Sequence, residues 1–273
     1  MVNRISAAIA KARARSEGAQ TPGGRVSRLP LPAADEAWAG LPVHVTNARH
    51  LARNRIVTLE AGDAAMPFDV LRTRMLKEMR SHGWRRIAIT SPDAGCGKST
   101  LAANLALSLA RQTELRSVLI ELDLRRPSLA GLFGVARPAQ FARALTGEIE
   151  AVEALQRIGP NLALGLNARA VKGATELLQA PGVAGMLDRM ERLLGPAVML
   201  FDLPPMLRGD DTLAFLDKVD CGLLVVEAEV TPIQDVDRCE QELARGTTVL
   251  GVVLNKLRHV EASYGYGRGY GYG

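Results

Sequence analysis

Ile-Thr-Ser-Pro-Asp-Ala-Gly-Cys-Gly-Lys-Ser-Thr-Leu, residues 89–101, joins a short apolar run to a helical pattern. A strand, a glycine-rich loop, a Lys-Ser pair and a helix are the layout of a phosphate-binding loop. Glycines let backbone N–H groups turn inward around an anion, and the start of the next helix adds its dipole. Lys98 is therefore expected at the β- and γ-phosphates of a nucleotide, and the Ser99 hydroxyl at Mg²⁺. The general pattern has a glycine six residues before the lysine, where this chain has Pro92.

Short aliphatic runs alternate with helical patterns on both sides of this loop. The runs are residues 87–90, 118–122, 162–166, 198–203, 223–226 and 249–254. They lack polar alternation, which is typical of strands buried on both faces. The pattern predicts an α/β fold of the P-loop NTPase type, with a mainly parallel sheet between helices. Before the loop, residues 55–59 are a candidate short strand, and the apolar spacing after Pro67 predicts a helix that ends at Gly83.

The basic residues of the chain are concentrated near its beginning. Residues 1–60 contain nine Lys/Arg and four Asp/Glu, whereas the remaining 213 residues contain 25 of each. This distribution argues against a nucleic-acid groove on the main domain. We find no apolar run of membrane-spanning length and no secretory signal pattern. The three cysteines have no paired or metal-type spacing, as expected for free thiols in a reducing cytoplasm.

The composition predicts four segments. Residues 1–17 have apolar residues at helical spacing among basic ones, which predicts an amphipathic basic helix. Such a helix either docks on a partner or an anionic membrane surface, or is a solvated leader. Residues 18–54 are rich in proline and glycine and are expected to be a flexible linker. Residues 55–260 are expected to form the ATP-binding domain, and residues 261–273 a disordered tail.

Acidic residues follow two of the predicted strands. Glu121 and Asp123 lie at the end of one strand and Asp202 at the end of another. The carboxyl ends of parallel strands are where ligand chemistry collects, and a two-residue spacing places Glu121 and Asp123 on the same side of their strand. Such acids either organise Mg²⁺, directly or through water, or are ordinary solvated caps. Their occurrence at two strand ends beside a phosphate-binding loop favours the Mg²⁺ site.

With these motifs, the chain resembles the bacterial tyrosine kinases (BY-kinases) of polysaccharide biosynthesis. That family's loop reads Ser-Pro-x-x-Gly-x-Gly-Lys-Ser/Thr, matched by residues 91–99, so Pro92 is expected. Its second motif, Asp-x-Asp-Leu-Arg-x-Pro, is matched from Asp123 to Pro127, and its third, aliphatic-Asp-x-Pro-Pro, by residues 201–205. The resemblance covers roughly residues 66–273. Chromosome-partitioning and septum-site ATPases instead carry a second lysine five positions before the first, where this chain has Asp93.

The resemblance implies a role for each motif. Phosphates would be bound by Gly95, Cys96, Gly97, Lys98, Ser99 and Thr100. Mg²⁺ would be held by Ser99, Asp202 and Asp123. The catalytic residues would be Lys98, Asp123 and Glu121, with Asp123 orienting or deprotonating the incoming phenol. Asn255, at the end of the last strand, either contacts the adenine of ATP or forms a simple strand-end turn.

All four tyrosines lie in the last ten residues, mostly alternating with glycine: Tyr264, Tyr266, Tyr270 and Tyr272. Such a segment is either a low-complexity tail, with aromatic stacking on RNA as one variant, or a phosphorylation cluster. The resemblance implies autophosphorylation of these tyrosines between subunits, after which the added charge would repel the acidic site.

Two departures from the family pattern bear on activity and assembly. The first acid of the Asp-x-Asp pair is Glu121, which is one methylene longer and is expected to weaken catalysis or move the metal. The acidic-x-x-Arg-x-x-Arg motif used in subunit rings reads Met66, Asp69 and Arg72, which leaves only Arg72. A homo-oligomer is therefore expected to need other contacts.

We predict an ATP- and Mg²⁺-dependent protein-tyrosine autokinase that regulates exopolysaccharide or capsule synthesis or export. The resemblance implies a membrane-embedded polysaccharide co-polymerase as activator, with the kinase in the cytoplasm at the inner face of the plasma membrane. No nucleic-acid partner is expected. The alternatives are a catalytically weak ATP-binding assembly component, marked by Glu121, and a partitioning-type ATPase, which Asp93 disfavours.

Overall fold

The computed structural model describes residues 31–257, with side chains from residue 34 onward, and places seven strands in one sheet. In chain order the strands are β1 (Arg86–Thr90), β2 (Ser117–Glu121), β3 (Leu155–Ile158), β4 (Leu162–Gly165), β5 (Val198–Asp202), β6 (Cys221–Glu227) and β7 (Thr248–Asn255). Their order across the sheet is β3-β4-β2-β5-β1-β6-β7. All neighbouring pairs are parallel except β3 with β4. The predicted α/β fold with a mainly parallel sheet is confirmed.

Helices connect most of these strands. The α-helices within residues 31–257 are α1 (Leu31–Ala39), α2 (Ala48–Arg53), α3 (Met66–His82), α4 (Lys98–Ala110), α5 (Leu129–Phe133), α6 (Ala142–Leu145), α7 (Ala174–Gln179), α8 (Gly182–Leu194) and α9 (Ile233–Gly246). Short 3₁₀ helices occur at Ala151–Ala154, Met206–Arg208 and Leu213–Lys218. Helix α3 follows the predicted spacing and ends where expected, at Gly83, which has a φ of 71°.

The sheet separates two hydrophobic cores, because the strands are apolar on both faces. In β5, Val198 and Leu200 pack in the core that contains α3 and α4. Met199 and Phe201, which alternate with them, pack in the core that contains α8. Burial on both faces explains why the aliphatic runs of β1, β2, β4, β5 and β6 lacked polar alternation, whereas the edge strand β7 is only partly buried.

Strand β3 was not predicted. It pairs with β4 in antiparallel orientation through a turn at Gly159, whose φ is 61°. Its two central residues, Gln156 and Arg157, are polar and only half-buried. This polar edge strand therefore lacked the aliphatic signal of the other six.

Residues 55–59 were a candidate strand, and this interpretation is wrong. They form an irregular segment that is bound to α4 through Asn104. The Val57 backbone N–H donates to Asn104 Oδ1 at 2.8 Å, and the Thr58 hydroxyl donates to the Asn104 carbonyl at 2.7 Å. The apolar pattern of this segment reflects burial against a helix rather than a place in the sheet.

Residues 31–54 differ from the predicted flexible linker. Trp38, in the last turn of α1, is buried in the core beside α8. Leu51 of α2 is buried in the opposite core. Between the two helices the chain pairs with β3, where the Arg157 N–H donates to the Pro42 carbonyl at 2.7 Å. Buried apolar side chains between the prolines and glycines thus hold this part of the chain on the domain.

The remainder of the predicted linker and the predicted terminal segments lie outside the described residues. These are residues 18–30, the basic helix at residues 1–17 and the tyrosine-rich tail at residues 261–273. Within the described range, no helix combines the length and apolar character needed to span a bilayer.

Candidate active site

The phosphate-binding loop has the predicted strand–loop–helix layout. It leaves the carboxyl end of β1 and enters α4, which begins at Lys98. Gly95 and Gly97 have φ values of 88° and 91°, in the left-handed region that favours glycine. Ser99 and Thr100 lie in the first turn of α4, where backbone N–H groups have no partner within the helix. The loop therefore has the backbone conformation of an anion-binding site.

Lys98 lies between the two acids that were predicted at different strand ends. Its Nζ donates to Asp123 Oδ2 at 2.8 Å, to Asp202 Oδ1 at 3.3 Å and to Ser99 Oγ at 3.2 Å. The side chain is only 7% exposed. Burial lowers the pKa of Lys98, but the Asp202 and Asp123 carboxylates outweigh burial and hold the pKa above its ordinary value. The lysine is therefore charged and shared between two carboxylates.

Asp123 and Asp202 are brought together by the backbone of two neighbouring strands. Asp202 closes β5, and its carbonyl accepts the N–H groups of Leu122 and Asp123 at 2.8 and 3.0 Å. Asp202 is fully buried, and burial raises the pKa of its carboxyl group although Lys98 lowers it. Its Oδ2 atom is buried and has no hydrogen-bond partner in the described part of the chain. An oxygen of this kind suits a cation ligand.

Glu121 does not join this group, contrary to the predicted catalytic role. Its Oε1 accepts the N–H groups of Ser128 and Leu129 at 2.5 and 2.6 Å, and its Oε2 accepts that of Asn167 at 2.9 Å. Burial raises the pKa of Glu121 to about 7, against the effect of these three hydrogen bonds. The longer side chain is thus hydrogen-bonded to the start of α5 and to the segment after β4. We assign it a structural role.

Asp93 is bound to Arg208, which the sequence did not single out. Arg208 donates Nε and a terminal nitrogen to the two carboxylate oxygens at 2.5 and 2.6 Å, and its hydrogen bonds lower the pKa of Asp93. The same segment is attached to the loop by its backbone, since the Met206 N–H donates to the Ser91 carbonyl at 2.8 Å. No spacing rule could have found this pair, because its members lie 115 residues apart.

Arg125, the arginine of the second motif, is bound by Asp211, another residue that the sequence did not single out. Its Nε donates to Asp211 Oδ2 at 2.7 Å, and the Thr175 hydroxyl donates to Asp211 Oδ1 at 2.7 Å. Asp211 is 2% exposed. The network fixes the segment that carries Asp123, two residues before Arg125.

Asn255 lies beside the loop, at the end of β7. Its Nδ2 donates to the Cys96 carbonyl at 2.8 Å. The predicted contact with adenine remains a prediction, because the observed partner of this amide nitrogen is the protein backbone. The Cys96 side chain is buried, with Sγ 3.9 Å from Thr231 Oγ1.

Comparison with known proteins also indicates a nucleotide-binding domain. The family model described as the CobQ/CobB/MinD/ParA nucleotide binding domain matches residues 87–264. The putative tyrosine-protein kinase EpsB of Ralstonia nicotianae is 28% identical over 203 residues, which cover 74% of this chain and 27% of EpsB. The tyrosine-protein kinase CpsD of Streptococcus agalactiae is 27% identical over 182 residues, which cover 66% of this chain and 77% of CpsD.

The chain is also similar to a kinase domain of known structure. The VpsO kinase domain superposes with a TM-score of 0.62 at 26% identity, over 71% of this chain and 96% of that domain. The resemblance predicted from the motifs is confirmed, although the chain spans only about a quarter of the length of EpsB. The phosphate-binding loop, the two strand-end acids and the matched family model together show that the chain belongs to the CobQ/CobB/MinD/ParA nucleotide-binding domain family.

Proposed function

We propose that the protein is an ATP-dependent protein-tyrosine kinase that phosphorylates its own C-terminal tyrosines and regulates exopolysaccharide or capsule synthesis or export. The observation that carries the proposal is the contact of Lys98 with both Asp123 and Asp202 at the end of the phosphate-binding loop. Phosphoryl transfer depends mainly on positioning and charge neutralisation, and this group supplies both signs of charge. The names of the EpsB and CpsD relatives support a kinase.

The residues present fit a nucleotide with Mg²⁺. Residues 95–100 would surround the phosphates with backbone N–H groups. Ser99, Asp202 and Asp123 would hold the metal, and the unpartnered Oδ2 of Asp202 is a suitable ligand oxygen. Mg²⁺, when bound, would neutralise charge on the phosphates.

The protein side chains divide the remaining work. Lys98 would exchange a carboxylate partner for phosphate oxygens, which its flexible stem allows. Asp123 would orient the tyrosine hydroxyl and accept its proton at a carboxylate oxygen. Glu121 has no part in the transfer, since its oxygens are bound by three backbone N–H groups.

The acceptors in this proposal are Tyr264, Tyr266, Tyr270 and Tyr272, phosphorylated between subunits. Arg72, the remaining arginine of the ring motif, donates to the Ser108 carbonyl at 2.8 Å within its own chain. A homo-oligomer would therefore use other contacts. The activator would be a membrane-embedded polysaccharide co-polymerase, which recruits the kinase to the inner face of the plasma membrane.

A second candidate is an ATP-binding assembly component without transfer activity. The observation that favours it is that Glu121 accepts hydrogen bonds from backbone N–H groups. Of the two acids of the kinase motif, only Asp123 is then left for transfer. A partitioning-type ATPase is less well supported, because Asp93 stands in place of the second lysine and is paired with Arg208.

Radiolabelled ATP distinguishes these candidates. The full chain is incubated with γ-labelled ATP and Mg²⁺, with and without membrane extract of the source organism. We expect label on tyrosine that is absent when all four tyrosines are replaced by phenylalanine. ATP binding without protein label in either condition would support the assembly component. Phosphate release stimulated by DNA would support the partitioning ATPase.

A further inference from the structure

The end of β7 is attached to the phosphate-binding loop through one side chain. Asn255 is the last residue of β7, and its backbone is fixed by β6, since its carbonyl accepts the Ala228 N–H at 2.9 Å. From this fixed position its Nδ2 donates to the Cys96 carbonyl at 2.8 Å. A sheet strand and the loop thus share a direct hydrogen bond across 159 residues of sequence.

The same amide group also lies against Gly97. A Cβ atom at Gly97 would lie 2.4 Å from Asn255 Nδ2, a distance that real Cβ atoms do not adopt. Gly97 also has a φ of 91°, and its carbonyl accepts the Leu101 N–H at 2.9 Å as α4 begins. Asn255 therefore contacts both residues that precede Lys98.

The hydrogen bond to Cys96 fixes the direction of a loop N–H group. The peptide between Cys96 and Gly97 is trans, because the described chain contains no cis peptide bond. In a trans peptide the carbonyl and the N–H of the next residue point in opposite directions. When Asn255 holds the Cys96 carbonyl toward β7, the Gly97 N–H is held pointing away from β7. The loop binds anions through such oriented N–H groups.

We infer that Asn255 is a positioning residue of the phosphate-binding loop, which it holds in the anion-binding conformation through the Cys96 carbonyl. The inference rests on the proposed nucleotide binding. It assigns the Asn255 amide to the phosphate side of the site rather than to the base. Its contribution should therefore extend to ligands that have phosphates and no base.

Calorimetry with two probes tests this role. Mg-ADP is titrated into the full-length chain and into the variants Asn255→Ala and Asn255→Asp, and Mg-pyrophosphate is measured by competition. We expect the Kd of both probes to rise about fivefold in each variant, the usual effect of losing one hydrogen bond. An increase for ADP alone would show that Asn255 contacts the base and would overturn the inference.

Asn161→Ala is the matched control. The Asn161 side chain also donates to backbone carbonyls, those of Gln112 and Leu115 at 2.8 and 2.9 Å, but it lies outside the loop. This variant should lower the thermal midpoint and leave both Kd values unchanged. Equal losses of affinity in the Asn161 and Asn255 variants would reduce the role of Asn255 to general stability.

Hydrogen exchange gives a readout without ligand. In the ligand-free chain, the amides of residues 96–98 should exchange faster in Asn255→Ala than in wild type, and at the wild-type rate in Asn161→Ala. Unchanged exchange in Asn255→Ala would contradict the inference. If wild type binds neither ADP nor ATP, the proposed function fails, a result separate from both outcomes.

Discussion

The Lys98 ammonium lies 2.8 Å from the Asp123 carboxylate, although the two residues belong to different elements of the chain. Asp202, at the end of a third element, lies 3.3 Å from the same nitrogen. One cation thus serves two buried acids. Removing one partner of a buried ion pair is more costly than the pair's own net stabilisation, because the charge left behind is buried without a partner. The stability of the site therefore depends on Lys98.

Replacing Lys98 with methionine should lower the free energy of unfolding by about 3 kcal/mol, because two carboxylates lose their cation. Urea denaturation measures the loss, and tyrosine labelling should disappear with it. Lys77→Met is the control, since Lys77 is exposed on α3 and should change neither quantity. If Lys98→Met is as stable as Lys77→Met, the buried contact does not contribute as the geometry indicates.

Replacing Glu121 with aspartate should destabilise the protein without improving transfer. The shorter side chain cannot reach Ser128, Leu129 and Asn167 together, so at least one of these backbone N–H groups loses its partner. We expect a loss of about 2 kcal/mol in the free energy of unfolding, measured by urea denaturation. Faster tyrosine labelling at unchanged stability would instead show that a second acid acts in catalysis.

The sequence predicted what depends on local pattern. Six aliphatic runs identified six strands, and in five of them burial on both faces leaves few polar residues. The sixth, β7, is aliphatic although it is an edge strand whose residues are only partly buried. The contact of Asp123 with Asp202 followed from the rule that the carboxyl ends of parallel strands meet at one edge. Pro92 was explained by the family motif rather than by physics.

The other features of the fold and the site depend on contacts between residues that are far apart in the sequence. Strand alternation indicates the side on which Glu121 lies, but its partner Asn167 comes 46 residues later. Trp38 was assigned to a linker because prolines and glycines surround it, yet its indole packs beneath α8 and lies 5.3 Å from the Arg116 guanidinium. Local composition cannot report such tertiary burial.

Asp69 gives a prediction for pH. Burial raises its pKa, but hydrogen bonds from Ser108 and Arg111 outweigh burial and hold the pKa below its ordinary value of 3.8. A lowered folded-state pKa means that ionised Asp69 stabilises the fold above pH 3.8 and that this stabilisation is lost as the pH falls through the folded-state pKa. We expect the free energy of unfolding of wild type to exceed that of Asp69→Asn by about 1 kcal/mol at neutral pH, and this difference should vanish in acid.

Urea denaturation at a series of pH values measures this difference. Asp63→Asn, measured at the same pH values, is the control for the substitution itself, because Asp63 is exposed just before the same helix. A constant difference between wild type and Asp69→Asn down to acid pH would show that the Asp69 variant acts through packing rather than charge.

Asp211 should matter for transfer although it is not in contact with Lys98. It binds Arg125 at 2.7 and 3.1 Å, and Arg125 follows Asp123 by two residues. Asp211→Asn weakens this attachment, so we expect the free energy of unfolding to fall by about 2 kcal/mol and tyrosine labelling to slow.

Asp210→Asn separates that attachment from a general effect of charge at the same place. Asp210 is exposed, and its side chain accepts a hydrogen bond from Thr175 at 2.9 Å, as Asp211 does at 2.7 Å, but of these two acids Arg125 donates to Asp211 and not to Asp210. The Asp210 variant should therefore keep most of the labelling rate and lose less than 1 kcal/mol, roughly the value of one exposed polar contact. Labelling that falls equally in both variants would mean that the Arg125 contact does not position Asp123. A fall confined to Asp211→Asn would place the control of Asp123 in this buried carboxylate.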